Sequence, residues 1–143
     1  MEFIKIVIYL SIYIGLVATT FYALSFISGA KKKKLLFNNS ELPIVSVIIP
    51  AYNEEEGIEN TIKSAINSDY PKDKFEVIVV DDGSTDNTFK LASKFKTKGV
   101  KVFSKSNGGK GSALNFGLKK ARGEIVVSMD ADTMVDKDSL KKM

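Results

Sequence analysis

The residues of this chain that could do chemistry fall in four short clusters: Tyr52-Asn53-Glu54, Asp81-Asp82-Gly83-Ser84, Ser106 to Lys110, and Asp130-Ala131-Asp132. In the last, the spacing is the signal: residues i and i+2 of an extended strand end point the same way, so both carboxylates can face one ligand. A hard cation such as Mg²⁺ or Mn²⁺ accepts one or two carboxylates and completes its shell with water and phosphate oxygens. Carboxylates gathered on one edge repel one another unless a cation or hydrogen-bond donors hold them. The chemistry these types point to is a metal-assisted site for an anionic ligand.

Such clusters converge only if the elements before them run in parallel. Val45 to Ile49, Phe75 to Val80, Val100 to Phe103 and Glu124 to Met129 are short β-branched or aromatic runs, and three are nearly continuous in apolar residues, as strands buried on both faces require. Helical patterns lie between them, at about Glu55 to Asn67, Asp86 to Lys96 and Gly111 to Lys120, with another from near Lys137. Ser84 or Thr85 is the expected N-cap of the second, and Asp86 suits its positive end. Repeated βα units imply an α/β fold with a parallel, doubly wound sheet. Each chemical cluster follows the C-terminal end of a strand, the edge where open α/β sheets bind ligands.

Composition narrows the chemistry. The 143 residues include no cysteine and no histidine, which excludes disulfides, Cys/His zinc sites and every histidine-dependent mechanism. Any metal must be held by oxygen. The formal net charge of +4 is carried largely by Lys31 to Lys34 rather than by a basic stripe with interleaved aromatics, so nucleic acid is not an expected partner. Those lysines follow an uncharged run from Ile6 to Ala30 which, as a helix of roughly 37 Å, would cross a bilayer core of about 30 Å. A secretory leader would be shorter and preceded by positive charge. The expected arrangement is a single-pass protein of the cell membrane, N-terminus outside and the rest cytoplasmic. Residues 1–30 form the anchor, 31–43 a basic linker and 44–143 a single domain. Asn38-Asn39-Ser40 fits a glycosylation sequon by accident on that topology.

Rival motifs fail on their own spacing. Gly109-Lys110-Gly111-Ser112 interposes a glycine where a Walker loop needs Ser or Thr directly after Gly-Lys, and Leu114 stands where a dinucleotide fold needs its third glycine. No EF-hand loop fits either acidic cluster.

Four stretches taken together carry a family resemblance: Val45 to Glu55 with Pro50-Ala51-Tyr52-Asn53-Glu54, Val77 to Asp86 with Asp81-Asp82-Gly83-Ser84, Asn107 to Asn115 with Asn107-Gly108-Gly109-Lys110-Gly111, and Asp130-Ala131-Asp132. They resemble the family 2 glycosyltransferases of the GT-A fold over about residues 44 to 143. The preceding apolar helix and the Lys-Gly-x-Ala-Leu-Asn-x-Gly stretch look most like processive synthases of chitin, hyaluronan, cellulose and poly-N-acetylglucosamine type. The resemblance implies the nucleotide-binding half of a Rossmann-like, mainly parallel GT-A domain. It implies that Ala51, Tyr52 and Glu54 line a nucleoside pocket and that Asp82 accepts the uracil N3–H. Asp81 touches ligand or holds its loop, Lys110 lies beside base or diphosphate, Asp130 approaches the ribose or sugar, and Asp132 coordinates Mg²⁺ or Mn²⁺. Asn53 and Ser84 serve turn and cap rather than ligand.

The implied reaction is inverting, metal-dependent transfer of a sugar from a nucleotide-sugar, with UDP-sugar the expected donor, to a polysaccharide or lipid acceptor. The catalytic base of such enzymes lies well beyond the Asp-x-Asp loop, and Asp136 and Asp138 read instead as the polar start of a helix. The base is therefore expected beyond Met143, the chain alone is expected to be inactive, and a separate chain supplying the second half is an expected partner. The alternative from another class is a membrane-tethered nucleotide- or metal-binding module that never catalyses. A signalling receiver, which also has an acidic pair after a strand, is disfavoured by the extra strand before that pair and by the Asn-Gly-Gly-Lys loop.

Overall fold

The computed structural model describes residues 1–29 and 42–142, with side chains left out at 26–29. The chain divides into two compact units, Met1–Leu35 and Leu36–Met143. The Lys31–Lys34 cluster, most of the linker and the Asn38-Asn39-Ser40 triplet lie outside the described residues.

In the first unit, α1 spans Glu2–Gly29, four residues earlier than the apolar run begins. Glu2 suits the positive end of a helix and takes an ion pair from Lys5 one turn on, at 3.0 Å, which extends the helix through two charges. Ser11, Thr19 and Thr20 return their hydroxyls to carbonyls three or four residues back, so the helix exposes little unpaired polarity. Among the described residues it is the one helix long and apolar enough to cross a membrane.

The second unit is α/β. Strands β1 (Val45–Ala51), β2 (Phe75–Asp81), β3 (Lys101–Ser104) and β4 (Ile125–Ser128) form one sheet in the order β3-β2-β1-β4, with every pairing parallel. β1 and β2 are buried along their whole length, which their unbroken apolar runs require. Helix α2 (Ile58–Ile66) shows the sheet Ile58, Ile62 and Ala65, spaced four and three residues apart. With Ala92 of α3 (Thr88–Ser93) and Phe95 of the 3-10 turn behind it, these cover Val47, Ile49, Val77 and Val79. On the opposite face α4 (Lys110–Leu118) covers Ile48, Ile78 and Val80 through Ala113. Each such isoleucine or valine contributes about 1.5–3 kcal/mol by leaving water. A short α5 (Ser139–Lys142) follows, and Lys141 pairs with Asp69 at 2.9 Å.

Pro50 marks where the sheet opens. The carbonyl of Ile48 accepts the Met129 N–H, so even-numbered residues of β1 face β4, while Ala51 faces β2 by accepting the Asp82 N–H. Pro50 thus faces β4 just past the last pairing of the two strands, Ile48 with Ser128. A proline there leaves no donor stranded, and β1 and β4 part beyond it. The chain crosses from the β3 side of β1 to its far side through α4, and this reversal of strand order places a crevice between β1 and β4.

Two expected helix starts are corrected. α2 begins at Ile58 rather than Glu55, and α3 at Thr88 rather than Asp86. The Glu54 and Glu55 N–H groups donate to Thr88 Oγ1 (2.8 Å) and Asp86 Oδ2 (3.2 Å), so tertiary bonds replace the first helical turn. Asp86, not Ser84 or Thr85, serves the start of α3, its Oδ1 accepting the Thr88 N–H at 2.9 Å.

Candidate functional site

The four strand ends deliver four loops, and side chain–backbone bonds knit them together. Asn53 has φ 53, the one positive φ at a described non-glycine residue, and its Oδ1 accepts the Thr85 N–H at 2.9 Å while its own N–H donates to Ser84 Oγ at 3.0 Å. Asn tolerates this conformation because its short side chain bonds locally. Glu55 Oε2 accepts the Asn87 N–H at 3.0 Å, which completes the seam between the loops after β1 and β2. The turn that carries Tyr52 and Glu54 is therefore fixed from below.

Asp82 binds the third loop to the second. Its Oδ1 takes Lys105 Nζ at 2.5 Å and its Oδ2 the Gly109 N–H at 2.6 Å, while the Gly108 N–H lies 3.2 and 3.1 Å from the two oxygens. Burial pushes the Asp82 carboxyl up, but the Lys105 ammonium and these two N–H groups outweigh it and hold it below the usual carboxylate range. Gly83 has φ 75, and a Cβ there would stand 2.8 Å from the Asn107 backbone nitrogen. Glycine is required at this position by conformation and by the approach of the loops.

The fourth loop closes the ring. Thr61 Oγ1 of α2 donates to the Ala131 carbonyl at 2.6 Å, and Lys110, the first residue of α4, reaches Asp130 Oδ1 at 2.6 Å across the crevice. Asp132 is exposed, with Thr133 Oγ1 at 3.4 Å from its Oδ1.

These loops surround a cavity of about 490 Å³, lined by Pro50, Ala51, Tyr52, Glu54, Asp82, Asn107, Gly109, Lys110, Ala113, Asp130, Ala131 and Asp132. Seven of the eight residues singled out in the sequence line it. Asp81 does not: its side chain is buried and its Oδ2 accepts Ser104 Oγ at 2.9 Å, tying β2 to β3. Pro50, Asn107, Gly109, Ala113 and Ala131 were not singled out, although all but Ala113 flank or belong to the clusters. Lys105, the partner of Asp82, carried no signal, being one of 21 Lys and Arg residues.

The donor set bears on a metal. Among the described residues no group of three Asp or Glu side chains could hold a cation by itself. Asp130 and Asp132 on one rim, hard oxygens both, fit Mg²⁺ or Mn²⁺ that takes one or two carboxylates and finds its other ligands in water and phosphate. The arrangement sets one cation, Lys110, at a rim of carboxylates, where it can offset part of the charge of an anionic ligand.

Residues 46–143 match the family described as Glycosyl transferase family 2. The poly-beta-1,6-N-acetyl-D-glucosamine synthase of Staphylococcus aureus is 37% identical over 134 residues, 92% of this chain and 32% of that protein. Among solved structures, TarS 1-349 of S. aureus in complex with UDP-GlcNAc is similar at a TM-score of 0.64 and 43% identity, over 68% of this chain and 29% of that one. The mannosyltransferase PcManGT of Pyrobaculum calidifontis, in complex with GDP-Man and Mn²⁺, matches with a TM-score of 0.66 and 34% identity, over 90% of this chain and 41% of that one. The chain spans less than a third of the length of the curated relatives it matches.

Proposed function

Because the chain belongs to glycosyl transferase family 2, we propose that its crevice captures a nucleotide-sugar, a UDP-sugar by class, for inverting transfer to a glycan or lipid acceptor. The observation that carries the reading is the meeting of seven sequence-selected residues from four loops around one cavity at the strand-order reversal. Its volume is that of a small-molecule site. UDP-GlcNAc is bound in one structural neighbour, and GDP-Man with Mn²⁺ in another.

On this reading Ala51, Tyr52 and Glu54 hold the nucleoside and Asp82 accepts an N–H of the base. Lys110 sits beside the diphosphate and Asp130 at the ribose or sugar. Asp132, with Asp130 nearby, would hold Mg²⁺ or Mn²⁺, which supplies charge neutralisation for the departing diphosphate. In the transfer an acceptor hydroxyl loses its proton to a base, its oxygen bonds the anomeric carbon, and the bond to the diphosphate breaks in line. These residues serve donor capture and orientation, and the isolated chain is expected to bind donor without transferring it.

Residues 1–30 serve as the membrane anchor, 31–43 as a basic linker and 44–143 as the donor domain, on the cytoplasmic side with the N-terminus outside. Calorimetry of the detergent-solubilised chain with UDP tests the reading. Binding that needs Mn²⁺ and is lost in Asp132→Ala is expected; a chain that ignores UDP with and without metal overturns it.

A further inference from the structure

Lys110 is the one cation among the residues that line the crevice, and it stands where a helix least favours one. It is the first residue of α4, at the positive end of the helix dipole. The first turn holds no acid, and Gly109 before it has no side chain to cap the free N–H groups. A residue that breaks a local rule with no local compensation is expected where it serves a function.

What answers this charge comes from another loop. Asp130 Oδ1 accepts Lys110 Nζ at 2.6 Å, with both side chains more than half exposed. Asp82, on the same cavity wall, is already committed to Lys105 and to the Gly108 and Gly109 N–H groups. The Asp130 carboxylate thus stands at Lys110 in the place of an anionic ligand. It is also one of the two carboxylates that fit a hard cation, and an ammonium on Oδ1 both occupies a ligand oxygen and sets like charge beside the cation. We propose that Lys110 makes cation binding at Asp130 and Asp132 conditional on a diphosphate: in the empty crevice the lysine holds Asp130, and phosphate oxygens draw it off and free the carboxylate for Mg²⁺ or Mn²⁺. This rests on the reading of the crevice as a nucleotide-sugar site.

The exposure of the pair suits this role. An ion pair open to water shifts an equilibrium by at most about fivefold, so the lysine is held but not trapped. A diphosphate brings more charge and more acceptor oxygens than one carboxylate, and the ammonium follows it. Lys110 then acts in two ways, through Asp130 as a positioning residue before the ligand arrives and as a partner of phosphate afterwards. By linkage, whatever factor the nucleotide adds to cation affinity the cation adds to nucleotide affinity, so the two are taken up jointly.

Phosphates coordinate cations themselves, so the lysine's part is read first without nucleotide, as the Mn²⁺ affinity of the full chain in detergent followed by electron paramagnetic resonance of the free ion. Lys110→Met should tighten Mn²⁺ by up to about fivefold, and the same replacement in an Asp130→Asn chain should change it by less than about twofold. With Mn²⁺ saturating, Lys110→Met should instead weaken UDP in calorimetry, while Lys110→Arg keeps the behaviour of the parent in both measurements. A lysine that served only the fold would weaken both ligands together when replaced, so the opposite signs belong to the exchange. Mn²⁺ affinity unchanged or lowered in Lys110→Met, equal tightening in both Asp130 backgrounds, or UDP affinity unmoved by the variant would each overturn the proposal. A parent chain that ignores UDP with and without Mn²⁺ overturns the donor reading instead, and the Mn²⁺ titrations still decide whether Lys110 guards Asp130.

Discussion

Asp82 engages both carboxylate oxygens before any ligand arrives, through Lys105 and the N–H groups of Gly108 and Gly109. A carboxylate offers about four acceptor positions, and the Gly108 N–H, 3.2 and 3.1 Å from the two oxygens, makes the fourth contact, so on the proposed reading a nucleobase N–H would have to share or displace one of these donors. Asp82→Ala would leave two N–H groups and an ammonium without their acceptor, a loss of about 1–3 kcal/mol, together with loss of UDP binding. Lys105→Met, which leaves the two N–H bonds in place, should cost less stability; thermal unfolding and calorimetry on the two variants measure both effects. Asn53 separates conformation from bonding. Asn53→Gly keeps the positive φ and loses only the Oδ1 bonds, whereas Asn53→Ala loses the bonds and adds about 1–2 kcal/mol of backbone strain. A melting temperature lower for Ala than for Gly is expected, with UDP affinity reduced in both. The carboxylates of the site were legible because acids placed directly after strands are conspicuous. Lys105 was not, because its role depends on two loops meeting in space.

At the scale of elements, α4 sets the position of Lys110 by packing without a side chain at Gly117. A Cβ there would lie 2.5 Å from Ile48 Cγ2 and 3.3 Å from Val80 Cγ2. Glycine to alanine within a helix gains about 1 kcal/mol, but overpacking costs about 1–3 kcal/mol, so Gly117→Ala should come out neutral to destabilising and Gly117→Val clearly destabilising. Both push α4 off β1 and strain the Lys110–Asp130 pair, so UDP affinity should fall with melting temperature. At the other end of the strands, Glu76 of β2 accepts Ser46 Oγ (2.5 Å), Lys101 Nζ (2.8 Å) and the Arg122 N–H (2.8 Å), anchoring the turn into β4. Burial raises its carboxyl, and Lys101, Ser46 and Arg122 outweigh that and lower it. A depressed carboxyl contributes stability that is complete above the ordinary value near 4 and is lost as pH falls through the folded value. Glu76→Gln should therefore be less stable than the parent at pH 7, and the difference should shrink as pH falls below the ordinary carboxylate value, in thermal unfolding followed by circular dichroism. Strand positions were legible because β1 and β2 are buried on both faces and read as unbroken apolar runs. Helix starts were not, since Thr88 and Asp86 take the N–H groups that a sequence pattern assigns to the first turn.

For the whole molecule, the sheet ends differently on its two sides. β3 carries Lys101 at one edge, a charge that discourages pairing with another strand. β4 reads Ile-Val-Val-Ser, and among the described residues nothing pairs with its outer side. Its residues alternate between faces, yet Ile125 is 48% and Val126 40% exposed. Sequence pattern alone reads this run as a buried strand, because periodicity reports what a strand could bury and not which neighbour is present. An uncharged apolar edge with unpaired backbone groups is a template for a further strand, and at high concentration a second copy of the chain can supply it. The chain in detergent should accordingly self-associate through β4, and Val126→Lys should shift sedimentation velocity profiles toward the monomer while leaving Mn²⁺-dependent UDP binding intact. Association that persists unchanged in this variant would place the contact on α1 instead, whose Ser11, Gly15 and Thr19 recur every four residues along one side.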